Sequence, residues 1–332
     1  MQKIMQKIKN WFSFDNGYGW LLVFVLTQTF ASIPAMWITA VKNFDMKIYD
    51  MSTVMTELAE KHMTEMSSWA MLIAGIIFLA LYIPWKILKK EKFDILNTNK
   101  DVAIFSVLSG MFFNAVMISV GMILIVLMNA DGAALSGTGS LLLSSDVTWL
   151  TIIATGIFAP IQEEIGFRRG LTVPLAKKGK IGFAIILSSI VFAFAHAGPF
   201  QMIFTFLLGI FMSYLILVTG NVVYPILVHV GMNLLSSVAV LFEFHELLII
   251  LVGGVAFIIA TIMIYKNEAV NEVMEIKENL ARVKEEKLAE YESSKAAEKK
   301  PNKEKGKEKD NAPKPCKKGT GTKKKHKKKK KK

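Results

Sequence analysis

The chain has 332 residues, 52% of them hydrophobic, and a mean hydropathy of +0.40. The net charge of +13 comes from one tail: residues 266–332 carry 24 Lys and Arg against 12 Asp and Glu, whereas residues 1–265 carry 16 against 15. The basicity therefore says nothing about the function of the first 265 residues. The single cysteine, Cys316, excludes an internal disulfide and a cysteine-based metal site.

Long apolar runs follow one another along the chain, and about 20 apolar residues suffice to cross a hydrocarbon core of roughly 30 Å. They predict an all-α, polytopic membrane helical bundle with about eight transmembrane helices. We expect a retained first span rather than a cleaved signal peptide, because its apolar run continues well past the small residues at 31–35. The predicted spans are approximately residues 20–41, 69–88, 102–128, 149–175, 181–197, 199–218, 222–242 and 247–265.

Lysines on alternate loops predict the orientation of the spans through the positive-inside rule. Residues 1–10 and the loops after the second and fourth spans are rich in lysine. Residues 129–148 contain no Lys or Arg, and residues 42–68 are net acidic. We therefore expect a multi-pass protein with both termini in the cytoplasm, and the composition favours a bacterial cell membrane.

Composition divides the chain into four parts. A cytoplasmic N-terminus (1–19) precedes the membrane-embedded domain (20–265), which a charged helical segment (266–298) and a disordered polylysine tail (299–332) follow. The loop at 43–68 has room for a short amphipathic helix. The heptad spacing in the charged segment spans two heptads, too few to predict a coiled coil. The tail is either solvated without a partner or in contact with anionic lipid or nucleic acid.

Two carboxylates, Glu163 and Glu164, lie inside the fourth predicted span and are followed by Arg168. Charged side chains are rare in a bilayer unless they face a partner or a water-filled cavity. Glu164 and Arg168 share one helix face, whereas Glu163 points about 100° away. The spacing predicts that Arg168 pairs with Glu164 and leaves Glu163 available as a base. A buried ion pair that only fixes helix packing is the alternative.

Two later predicted spans carry polar residues that we expect at the same membrane depth as Glu163. His196 lies in the fifth predicted span, and His229 and Asn233 share one face of the seventh. Counted from the predicted cytoplasmic ends, these three and Glu163 lie roughly 10–22 Å along their spans, at about 1.5 Å per residue. Each alone is typical of interhelical hydrogen bonding, but the shared depth predicts one polar site.

These side chains suit peptide hydrolysis. Glu163 with His196 would hold and deprotonate a water, and His229 with Asn233 would donate to the developing oxyanion. Alternatively, Glu163, His196 and His229 form a His₂Glu ligand set for zinc. No cofactor is favoured, and spacing does not decide between the two, because the three residues come from three different spans.

At these residues the chain resembles the CPBP family of intramembrane proteases, which includes the CAAX prenyl endopeptidases and bacterial relatives in bacteriocin processing or immunity. Three motifs carry the resemblance, all within residues 149–235. They occur in the family's order as EExxxR at Glu163, Glu164 and Arg168, FxxxH at Phe192 and His196, and HxxxN at His229 and Asn233.

The resemblance implies an eight-span bundle in which Glu163 and His196 activate the water and His229 and Asn233 form the oxyanion hole. The glutamate and arginine that complete the first motif would organise the site or bind substrate. It favours a glutamate-dependent mechanism over a metal-dependent one. The chain departs from the family in its second arginine, Arg169, where relatives commonly have glycine.

The predicted function is therefore that of an intramembrane endopeptidase, with a membrane-associated protein or peptide and the lipid bilayer as partners. One alternative is a non-catalytic membrane partner or regulator, for example of a sensor kinase or in bacteriocin immunity; the complete motif set argues against it. Another is a transporter that uses the carboxylates as a proton relay, which the absence of repeats disfavours. Nothing in the sequence marks prenylated proteins over peptide pheromones, bacteriocin leaders or membrane-protein stubs as substrates.

Overall fold

The computed structural model describes residues 17–44, 50–91, 93–128, 148–178, 180–196, 198–242 and 245–310. All regular structure in these ranges is helical. The α-helices are α1 (Tyr18–Asn43), α2 (Met51–Lys61), α3 (Met63–Leu88), α4 (Lys100–Met128), α5 (Trp149–Ile153), α6 (Ala159–Glu164), α7 (Val173–Ala176), α8 (Ile181–Phe194), α9 (Pro199–Thr219), α10 (Val223–Leu241), α11 (Glu246–Lys266), α12 (Glu268–Met274) and α13 (Ile276–Asp310).

Residues 149–176 form one helical stretch of mixed geometry, which we call the motif helix. Its α-helical pieces α5, α6 and α7 are joined by π-helical segments at Ala154–Phe158 and Ile165–Thr172. Such π-helical segments are rare and frequently occur at functional sites. The two carboxylates predicted as functional lie at the end of α6, between the two π-helical segments.

The prediction of an all-α membrane bundle is confirmed. Within the described ranges, six helices are long and apolar enough to cross a membrane, namely α1, α3, α4, α9, α10 and α11. The predicted span 181–197 corresponds to α8, which has 14 residues and extends only about 21 Å at 1.5 Å per residue. Because a hydrocarbon core is roughly 30 Å thick, the count of eight spans stays a prediction.

Pairs of helices build the bundle. Helix α1 packs along α3, α4 packs against both α10 and α11, and α8 pairs with α9. Phe78, Phe192 and Met212 are fully buried in the core between them. Large apolar side chains such as Val126 remain exposed on the outer faces, which is the pattern expected of helices surrounded by lipid.

Helices α4 and α10 cross at glycines. A Cβ atom on Gly110 would lie 1.9 Å from the Val228 carbonyl oxygen, and one on Gly231 would lie 2.3 Å from the Val107 carbonyl oxygen. Small residues at such crossings let two membrane helices approach closely. The buried Asn114 amide also donates to the Met232 carbonyl oxygen at 3.1 Å. These contacts hold the part of α10 that carries the HxxxN motif.

The segment that follows the last span packs against the bundle. Residues up to Leu288 belong to the first compact unit of the chain. Val270 and Val283 are buried, and Val273 and Leu280 pack against the same core. The predicted domain boundary at residue 265 thus separates residues that pack together, because the heptad-spaced side chains contact the bundle rather than a second helix.

The second compact unit comprises Ala289–Lys332. Its helix continues to Asp310, past the predicted start of disorder at Lys299, since closely mixed Glu and Lys favour helix through i,i+4 pairs. The amphipathic helix expected in the first loop is present as α2. Residues 1–16, 129–147 and 311–332, with the lysine run and its expected lipid contact, lie outside the described residues.

Replacing Gly110 with alanine is expected to destabilise the protein by about 1–3 kcal/mol, the usual cost of overpacking, because the new methyl group would meet a backbone carbonyl. Thermal unfolding of the detergent-purified protein measures the change. Gly182→Ala on α8 is the matched control, since no atom lies within 4 Å of its Cβ position. Equal losses of stability in the two variants would contradict the close crossing.

Candidate active site

The Glu164 carboxylate and the Arg168 guanidinium form a fully buried ion pair. Arg168 Nε donates to Glu164 Oε2 at 2.8 Å, and both side chains have no exposed area. The other carboxylate oxygen, Oε1, accepts from His229 Nδ1 at 3.1 Å. Glu164 therefore pairs with Arg168, as the spacing predicted, and also joins the motif helix to α10.

Arg168 extends the same network to α8 and α9. Its Nη1 donates to the Ser188 and Ser213 hydroxyl oxygens, each at 3.4 Å, and the Thr172 hydroxyl donates to Ser188 Oγ at 2.7 Å. The guanidinium also lies 4.6 Å from the centroid of the Phe192 ring. Sequence reasoning missed the three hydroxyl residues; the only signal was their polarity inside apolar stretches.

Glu163 lies apart from this ion pair, as predicted. Its side chain is 16% exposed, and its Oε2 is 4.0 Å from the Nε2 atoms of both His196 and His229. These separations exceed hydrogen-bonding distance, and within the described part of the chain Oε2 has no hydrogen-bond partner. The structure thus brings one carboxylate oxygen and two imidazole nitrogens face to face.

His196 lies in a turn rather than inside a helix. The fifth predicted span was expected to contain it, but α8 ends at Phe194. Gly198, at φ 86°, and Pro199 then begin α9. The left-handed backbone at Gly198 favours glycine, and proline suits the first turn of a helix. The turn places the imidazole beside Glu163.

Hydrogen bonds at Nδ1 orient both histidines. His196 Nδ1 lies 2.8 Å from the Phe192 carbonyl oxygen, which can only accept, so Nδ1 carries the hydrogen. His229 Nδ1 faces the Glu164 carboxylate, which also accepts while it is ionised against Arg168. In the neutral rings both Nε2 atoms are therefore acceptors directed at Glu163. Phe192 contacts both rings edge-on, with centroids 4.7 Å and 5.7 Å away.

Asn233, on α10, is bound to the motif helix. Its Nδ2 donates to the Thr155 carbonyl oxygen at 2.8 Å, in the first π-helical segment of the motif helix. The second hydrogen of this amide has no acceptor in the part of the chain that the structure describes. The amide is therefore held by one bond and can donate through the other.

The residue types in this cluster are also ones that bind metal ions. Glu163, His196 and His229 offer one carboxylate and two imidazoles whose Nδ1 atoms are already bound to acceptors, the usual support for zinc-binding histidines. Ligand atoms around a tetrahedral zinc lie about 3.4 Å apart, compared with 4.0 Å from Glu163 to each histidine here. Among the described residues no three such groups have the geometry of a formed metal site.

The six polar motif residues all lie in a segment with a recognisable family signature. Residues 145–235 match the family model of the Rce1-like type II CAAX prenyl endopeptidases. The match covers about a quarter of the chain and confirms the predicted resemblance. It supports CAAX-type intramembrane protease activity for this multi-pass membrane protein. No curated protein and no solved structure matches the chain.

Glu164→Gln is expected to lower the free energy of unfolding by about 3–5 kcal/mol, because it leaves a buried guanidinium without its counter-charge. Glu163→Gln should cost less than about 1 kcal/mol, since Glu163 forms no direct hydrogen bond to either histidine. Thermal and denaturant unfolding in detergent would measure both. A larger loss for Glu163→Gln would show that Glu163, rather than Glu164, maintains the packing.

Proposed function

We propose that the protein is an intramembrane endopeptidase in which Glu163, with the two histidines, activates a water for attack on a peptide carbonyl. The observation that carries this proposal is the convergence of Glu163 Oε2 and the two Nε2 atoms at 4.0 Å. Three acceptors that face one another repel unless a proton or a donor lies between them. A water molecule can lie there and donate its two hydrogens to Glu163 and to one of the histidines.

In the first step Glu163 takes a proton from the water as the oxygen attacks the substrate carbonyl carbon. General bases of this kind contribute roughly 10²–10⁴-fold to the rate. The proton then passes to the leaving amine as the C–N bond breaks, which regenerates the carboxylate. His196, held through Nδ1, keeps its Nε2 directed at the water.

Asn233 is the better candidate for the oxyanion donor. Its second amide hydrogen is available while the first is bound to Thr155. His229 was expected to share this role, but the bond from Nδ1 to Glu164 makes Nε2 of the neutral ring an acceptor. In this proposal His229 donates to the oxyanion only after Nε2 has been protonated.

Glu164 and Arg168 act as positioning residues. They hold His229 and the helices around it, and neither is exposed to a substrate. If zinc is bound, Glu163, His196 and His229 would hold it, and the ion would polarise the carbonyl and acidify the water.

The proposed substrate is a membrane-bound peptide, with a C-terminally prenylated segment as the first class to test. Helix α8 is short and ends next to His196. The outer face of α8 exposes Phe194 to 73%. An apolar chain lying in the bilayer would therefore reach the end of α8 beside the carboxylate. We also propose that the protein resides in a cell membrane with both termini in the cytoplasm.

Glu163→Gln is expected to reduce cleavage by at least about 10²-fold, because the amide cannot accept the proton of the water. The assay uses detergent-purified protein and quenched peptides ending in a CAAX sequence, with and without a farnesyl group. Glu246→Gln is the control, since this exposed glutamate lies in the first turn of α11, away from the motif segment.

The same assay with a strong chelator distinguishes the two mechanisms. Activity that survives the chelator supports the glutamate-dependent mechanism. Activity that the chelator removes and added zinc restores would instead identify Glu163, His196 and His229 as metal ligands. Equal cleavage by the wild type and Glu163→Gln would contradict the role of Glu163 as the base, and no cleavage by either would favour a non-catalytic membrane partner.

Asn233→Ala is expected to lower kcat by about 10²–10³-fold, the usual cost of removing one oxyanion donor, with a small change in KM. Steady-state kinetics on the same peptide would measure both parameters, and thermal unfolding would show whether the variant remains folded. A change confined to KM would assign Asn233 to substrate binding instead.

A further inference from the structure

The second arginine of the first motif does not take part in the Glu163 site. Arg169 Nη2 instead forms an ion pair with Asp94, in the 3₁₀ helix Asp94–Asn97 that follows α3. Asp94 also lies 3.3 Å from the ammonium of Lys86, whose side chain is only 2% exposed. One carboxylate thus faces two cations, and this end of the bundle retains a positive charge.

A cavity of about 280 Å³ opens beside Arg169. It lies between the start of α1, the ends of α3 and α9, the short helix α7 and the first half of α13. Its charged lining consists of Arg169, Lys177 and Lys287 against a single carboxylate, Glu91. The lining therefore has a formal charge of +2, and Lys177 forms no ion pair with any described residue. Such a cavity attracts an anion.

Part of the cavity wall is aromatic. Trp20, Tyr82 and Trp85 line it, and the Trp20 ring packs edge-on against the other two, with centroids 4.8 Å and 5.2 Å apart. Tryptophan and tyrosine are enriched where membrane helices meet the headgroup layer. Cations and aromatic rings together are typical of that layer rather than of a site for a soluble anion.

The cavity also lies where a phospholipid could reach it. The positive-inside rule assigns this end of the bundle to the cytoplasm, whose leaflet carries the anionic lipids. Next to the cavity, the end of α3 exposes Ile87 to 60% and Leu88 to 82%. These side chains offer an apolar surface for acyl chains, while the cavity itself has room for a headgroup and not for two chains.

We infer that this cavity binds the phosphate-bearing headgroup of an anionic phospholipid, with Arg169 and Lys177 facing the phosphate and the aromatic wall bordering the glycerol region. The site is separate from the Glu163 cluster, and the inference does not depend on protease activity. Basic pockets between the ends of membrane helices are known binding sites for such headgroups.

The test is a titration of the full-length protein in non-ionic detergent with dioctanoyl phosphatidylglycerol, followed by calorimetry. Saturable binding at one site is expected, and Lys177→Gln should weaken it about fivefold, the contribution of one lysine near an anionic headgroup. Lys178→Gln is the matched control, because Lys178 lies over the Tyr18 ring and does not line the cavity. The lysine tail is the same in both variants, so it does not contribute to the difference.

Three outcomes would overturn the inference. Equal affinities of Lys177→Gln and Lys178→Gln would place the binding elsewhere, for example on the tail. Equal affinity of the wild type for dioctanoyl phosphatidylcholine would show that the anionic charge is not recognised. Inorganic phosphate binding as tightly as the lipid would assign the cavity to a soluble anion.

Discussion

The buried pair between Glu164 and Arg168 is the interaction on which the arrangement of the site depends. Neither side chain has any exposed area, and a buried charge without a partner costs several kcal/mol. His229 satisfies the second oxygen of Glu164, and Ser188 and Ser213 accept from Arg168 Nη1, while the buried Arg168 Nη2 has no hydrogen-bond partner among the described residues. Because the histidine and the two serines come from α8, α9 and α10, the pair holds these helices together around the motif helix.

This network has a direct consequence for Glu163. Since Arg168 and His229 Nδ1 both bind to Glu164, Glu163 Oε2 is left without a hydrogen-bond partner among the described residues. The same network turns His229 Nε2 toward Glu163, and the Phe192 carbonyl does so for His196. Glu164 thus provides packing and orientation, and we propose that its neighbour Glu163 provides the reactive oxygen. The two adjacent glutamates have different surroundings because they point to different sides of a helix.

The two adjacent arginines also point to different parts of the molecule. Arg168 points into the bundle and is fully buried, whereas Arg169 reaches the loop after α3 and pairs with Asp94. The π-helical geometry of Ile165–Thr172 carries both side chains. The motif helix therefore connects a polar cluster among the spans to a cationic cavity at one end of the bundle. A lipid bound there would contact the helix that carries Glu163.

The sequence by itself determined the features that depend on local pattern. Apolar runs define membrane helices because lipid excludes unpaired polar groups, and the four-residue spacing was enough to predict the pairing of Glu164 with Arg168. Only the tertiary structure decided where His196 lies, because the end of α8 depends on the Gly198–Pro199 turn and its packing. The hydroxyl groups around Arg168 and the docking of residues 268–288 were likewise decided by packing, since their partners are distant in sequence. No local periodicity encodes which helices meet, so the atoms that converge on Glu163 become apparent only when the helices are packed together.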